Sequence, residues 1–236
     1  MESLVFLSFL RTLAACYDSE TIAHFLKLLV SHGFRVIAES EDEIYADVAP
    51  EVTQELQQEV DAYLAQRGDP LFFRAYYVGD IDLSLLFQLV PEEGLLACMV
   101  EQEHFYGSAE GHAAYLTMVA IFKELCDCWH PFYGHTYYSG GVNPDRAALL
   151  SDLNVPALYY INLFGPELVN KLGRDRLLNA PAWKIEELAD GSIFLAPEDH
   201  VEVAGGGYAL KKVADYLGMN TPQAPGEEWE EFEYEG

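Results

Sequence analysis

The sequence predicts an α+β fold: a single domain with a mixed or antiparallel central sheet and helices packed on it. Three observations lead there. Strand-like and helix-like segments alternate irregularly, without the regular strand–helix–strand spacing of a parallel sheet. Paired strand-like runs are separated by short turn sequences, Gly79-Asp80, Pro91-Glu92-Glu93-Gly94 and Asp190-Gly191. Half of the 236 residues are hydrophobic, enough to bury one sizeable core. No linker-like composition precedes Gly218, so the reading is one domain over 1–217 and an acidic tail over 218–236.

In chain order, Leu4 to Leu10 is apolar and short, as a buried strand is. A helix follows, capped by Asp18 or Ser19, with Ile22, Phe25, Leu26 and Leu29 on one face and Gly33 at its end. Phe34 to Glu39 and Ile44 to Val48 are strand-like. Pro50 suits the first position of a second helix, where Val52, Leu56, Val60 and Tyr63 form a narrow apolar stripe beside Gln54, Glu55, Gln58 and Glu59. Leu71 to Val78, Ile81 to Val90 and Leu95 to Glu101 are the most strand-like runs. The last two contain stretches apolar at every position, which predicts central strands covered on both faces.

A long helix is predicted from Ala109 to Cys128, a short strand near Thr136 to Tyr138, and a helix opened by Asn143-Pro144. Ala157 to Phe164 is a strand-like run, Pro166 to Leu172 a short helix closed by Gly173, and Trp183 to Leu188 with Ser192 to Ala196 a hairpin. Tyr208 to Leu217 is the last helix. The final sixteen residues, TPQAPGEEWEEFEYEG, hold six glutamates and no base. A segment of that composition gains order only when something binds it.

Charge narrows the function classes. The chain has 39 Asp and Glu against 13 Lys and Arg, a formal net charge of −26. That repels nucleic acid and anionic membranes and favours a basic protein partner. No Lys or Arg lies between Arg35 and Arg67, which leaves Glu51, Glu55, Glu59 and Asp61 as a candidate partner-binding surface on the second helix. Lys171, Arg174, Arg176 and Lys184 form the contrasting basic cluster.

The four cysteines, Cys16, Cys98, Cys126 and Cys128, lack the spacing of a disulfide framework, so reduced thiols and a cytoplasmic location are expected. Leu13-Ala14-Ala15-Cys16 matches a lipoprotein cleavage pattern, but Glu2 precedes the apolar run and Arg11 interrupts it, against lipoprotein export.

Two constellations carry chemistry worth weighing. Cys128, His130 and His135 are candidate metal ligands if the helix unwinds before Pro131, whereas Cys126 and Cys128 are about 200° apart on a helix and point away from each other. Glu101, Glu103 and His104 set carboxylates beside an imidazole, an arrangement usable for acid–base chemistry. An enzyme using these groups, a small hydrolase or metal-dependent enzyme, is the alternative function. The Gly205-Gly206-Gly207 run lacks the Lys-Ser/Thr of a phosphate loop, and no established catalytic signature occurs, which disfavours an enzyme. No cofactor is expected.

The stretch FGPELVNKLGRDRLLNAPAW, residues 164–183, followed by Asp190-Gly191, resembles the C-terminal part of bacterial type VI and polymorphic-toxin immunity proteins. Tyr-Tyr-Ser-Gly-Gly at 137–141 fits the same pattern. The resemblance implies a cytoplasmic single-domain α+β protein that neutralises a protein toxin by binding it, and it implies no catalytic residue. In it Gly165, Pro166, Gly173, Pro181 and Gly191 shape turns, and Trp183 is expected in the core.

Overall fold

The computed structural model describes residues 3–9, 13–40, 49–78, 83–101, 109–138, 146–155, 157–199 and 208–221. Its strands are β1 (Ser3–Phe9), β2 (Phe34–Ala38), β3 (Leu71–Tyr77), β4 (Ser84–Val90), β5 (Leu95–Glu101), β6 (Tyr133–Tyr138), β7 (Asn162–Phe164), β8 (Lys184–Glu187) and β9 (Ile193–Ala196). The helices are α1 (Ser19–Ser31), α2 (Gln54–Gln66), α3 (Ala109–Trp129), α4 (Arg146–Asp152), α5 (Pro166–Leu172), α6 (Arg174–Leu178) and α7 (Tyr208–Leu217). All nine strands join one sheet in the order β2-β3-β4-β5-β1-β6-β7-β9-β8, and every ladder is antiparallel. The chain is therefore α+β, with its apolar N-terminal strand zipped between a β2–β5 meander and a β6–β9 half.

Local signals place most elements where the sequence predicts them. The Asp18 carboxylate accepts from the N–H groups of Glu20 and Thr21, and Ile22, Phe25, Leu26 and Leu29 are the buried face of α1. Gly33 then takes φ +88, the left-handed conformation that ends a helix. Phe25 drives its ring edge-on against Phe73 and Phe87, at 5.7 and 5.2 Å, and against Trp129 of α3 at 5.9 Å. These contacts set α1 and α3 on one face of the sheet.

Four expectations need correction. Helix α2 starts at Gln54, not beside Pro50, because Val36 N–H donates to Glu51 O and Thr53 N–H to Val36 O along the edge of β2. Thr53 is the cap, its hydroxyl accepting from Leu56 N–H, and Val52 sits in a parallel bridge with Val36. The run 157–164 is strand only over its last three residues. Asn162 explains this: its side chain accepts from Tyr159 N–H at 2.9 Å and donates to Tyr159 O at 2.6 Å, taking the backbone groups a ladder would use.

Trp183 is 44% exposed, not a core residue, because it lies just before β8, the strand at the edge of the sheet. The fourth correction concerns β4. It is central, yet only alternate residues are buried, Leu85, Phe87 and Leu89, whereas β5 is covered on both faces from Leu95 to Cys98 and opens at Met99. Helix α6 is an element the sequence reading lacks. The expected strand over 44–48, the turns at 79–80 and 143–144, the glycine run 205–207 and the tail beyond Thr221 lie outside the described residues.

Candidate partner-binding surface

The acidic positions do not form one surface. Glu51 precedes α2, and its carboxylate pairs with Arg35 at 2.8 Å. Glu55 and Glu59 are one helical turn apart and share a flank; Glu59 is half-buried and accepts from Ser40 Oγ at 3.2 Å. Asp61 lies about 200° around the helix from Glu59, on the opposite flank, and accepts from Gln57 Nε2 at 3.3 Å. The buried stripe of Leu56, Val60 and Tyr63 runs between the two flanks. Glu55 and Glu59 can face one partner together, and Asp61 belongs to the other side.

The cysteine and histidine candidates also diverge. Cys126 is buried in the core, while the half-buried Cys128 thiol points back at Thr21 O, 3.8 Å away. Burial, reinforced by Asp127 and Asp18, pushes the Cys128 thiol up to about 11. His130 takes a left-handed φ of +46 just past the end of α3 and turns its imidazole toward Asp190, 3.4 Å away. His135 is fully buried on β6, and burial lowers its imidazole to about 3. Among the described residues, no three His, Cys, Asp or Glu side chains are gathered to hold a metal ion.

Glu103 and His104 lie outside the described residues, as does the side chain of Glu101. Cys16, at the lipoprotein-like pattern, is buried, and its carbonyl accepts from Tyr63 Oη at 2.7 Å. The basic cluster is occupied with structural work. Lys171 Nζ donates to the carbonyls of Asp152 and Leu153, closing α4; Arg174 grips Glu187 through Nε at 2.7 Å and a second nitrogen; and Arg176 reaches Tyr216 O at 3.2 Å. Lys184 lies over the Trp183 ring at 5.8 Å.

The register reveals a surface that the sequence reading missed. Directly opposed residues share a sheet face, so Phe72, Gln88, Ala97, His135, Asn162, Leu195 and Ile185 form one row across the sheet, linked through Leu7 of β1. Burial varies along it. His135, Asn162 and Leu195 are completely inaccessible, with the Tyr159 ring tilted against His135 at 4.3 Å, whereas Phe72 and Gln88 are half-exposed. The adjoining row, Ile37, Arg74, Leu86 and Met99, has the last three half-exposed. The face opposite α1 and α3 is thus closed over β6–β9 and partly open over β3–β5. Alternation of polar and apolar residues at Arg74 and at Gln88 was the available signal.

No protein-family model matches the chain, and no curated protein matches it in sequence. Among solved structures, a T6SS protein of Pseudomonas aeruginosa is similar over 96% of this chain and 78% of its own, with a TM-score of 0.55 and 11% sequence identity. At that identity the likeness is one of fold. No helix among the described residues is long and apolar enough to cross a membrane. The chain is an α+β protein whose fold is shared with a T6SS protein.

Proposed function

We propose that this chain is a type VI immunity protein that neutralises a cognate basic toxin by stoichiometric binding in the cytoplasm of the cell that makes it, without catalysis. The observation that carries the reading is the fold shared with a T6SS protein over 96% of the chain. The FGPELVNKLGRDRLLNAPAW stretch supports it from the sequence side. The net charge of −26 supplies the physics of encounter: a basic partner is drawn in from about a Debye length, and like-charged bystanders are repelled. Glu55 and Glu59, on the same flank of α2, are the proposed steering residues; Glu51 and Asp61 contribute to the field from other directions.

The test is co-expression with the toxin encoded beside this gene, followed by pull-down and stopped-flow association at low and high salt. The expected result is cell protection, a one-to-one complex, and an association rate that falls about tenfold on reversing Glu55 and Glu59 to lysine at low salt. Absence of both protection and binding with the wild-type chain would sink the immunity reading. Unchanged salt dependence in the charge-reversed variant would remove the steering mechanism alone.

A further inference from the structure

We propose that the half-open sheet face on β3–β5 is the surface that grips the partner protein, and that Arg74 receives a carboxylate from it. This deepens the binding role proposed above and rests on it. The face presents Phe72, Arg74, Tyr76, Leu86, Gln88 and Met99, all half-buried, on antiparallel strands whose opposite side is packed against α1. A sheet so backed is rigid, so a partner docking on it orders few new side chains. Aromatic, methionine and arginine side chains are the types enriched where protein partners bury each other.

Charge defines the occupant. Every other half-buried lysine or arginine among the described residues reaches a carboxylate: Arg35 reaches Glu51, and Lys123 and Lys184 both reach Glu186. Arg74 reaches none among the described residues, and its Nε is buried without a hydrogen-bond partner. Its directly opposed neighbours are Ile37 and Leu86. A guanidinium held between apolar side chains, in a chain of net charge −26, is complementary to one acidic side chain flanked by apolar ones. Long-range attraction of a basic toxin and short-range capture of a single carboxylate act over different distances, so the two requirements are compatible.

The probe is the catalytically inactivated toxin from the neighbouring gene, with affinity measured by titration calorimetry for wild type, Arg74→Gln, Arg74→Glu and Leu86→Gln. The expected result is a loss of at least about tenfold for Arg74→Gln and a larger one for Arg74→Glu, with unfolding midpoints near wild type. A bulky maleimide on Gln88→Cys, read against the same variant unlabelled, gives a second readout that needs no change at Arg74, and labelling should block the complex. Wild-type affinity in both Arg74→Glu and labelled Gln88→Cys would overturn the surface while leaving the immunity reading intact. Two further outcomes also overturn it. One is a wild-type chain that self-associates through this face in sedimentation. The other is a chain lacking residues 222–236 that binds toxin more tightly and no longer responds to Arg74→Glu, which would make the acidic tail the occupant. A wild-type chain that binds no toxin overturns both readings.

Discussion

The imidazole of His135 lies 4.3 Å from the Tyr159 ring, centroid to centroid and tilted by 41°, in a site with no solvent access. Tyr133 at 5.0 Å and Phe9 at 6.1 Å complete the aromatic surround. Burial lowers the His135 pKa to about 3, so the folded chain keeps this ring neutral where the unfolded chain protonates it near 6.5. Between those values the unfolded state binds the extra proton, and stability rises with pH across the window. Acidifying from pH 6.5 to 5 should therefore cost about 2 kcal/mol through this residue alone. Urea titrations at the two pH values, on wild type and His135→Phe, check this: the variant should lose that share of the acid sensitivity, and an unchanged slope would show that His135 titrates normally.

The tryptophans should behave oppositely. Trp129 is 4% exposed and meets Phe25 edge-on, so Trp129→Ala should cost about 3–5 kcal/mol. Trp183 is exposed, with Lys184 over its ring, and Trp183→Ala should cost less than about 1 kcal/mol. Denaturation midpoints of the two variants decide between this assignment and the reverse.

Gly165 and Gly191 are needed for different reasons. A Cβ at Gly165 would lie 2.6 Å from the Phe132 carbonyl oxygen, while its φ of −64 suits any residue. Gly165→Ala should therefore cost about 2–3 kcal/mol, because the backbone of two elements must separate. Gly191 has φ +85 and open space around it, so Gly191→Ala should cost only about 1–2 kcal/mol, a conformational penalty. Equal losses in chemical denaturation would mean that the close approach of 132 and 165 is not rigid.

Cysteine reactivity should separate one thiol from the rest. Cys16, Cys98 and Cys126 are buried, and Cys128 is half-buried with its pKa raised to about 11. At pH 8 native Cys128 should alkylate about two orders of magnitude more slowly than a free cysteine, and unfolding should release all four. Mass-spectrometric timing of iodoacetamide labelling reads this directly. Rapid labelling of Cys128 in the folded chain would place its thiol in a different setting from the one beside Asp127 and Asp18.

What the sequence determined by itself is what is decided within a few residues. The Asp18 cap, the α1 face of Ile22, Phe25, Leu26 and Leu29, the divergence of Cys126 from Cys128, and the hairpin at Asp190-Gly191 all depend on local geometry, and each stands as read. Tertiary structure decided what depends on strand order. Trp183 looked like a core residue until β8 proved to be an edge, and Glu51 looked helical until Val36 claimed the backbone on either side of Val52. Residues 157–161 were apolar enough for a strand, but a single buried amide, Asn162, bonded them away from the ladder. The face around Arg74 became visible only once register aligned it with Leu86 and Met99, because a strand's alternation says which residues share a face but not whether another layer covers it.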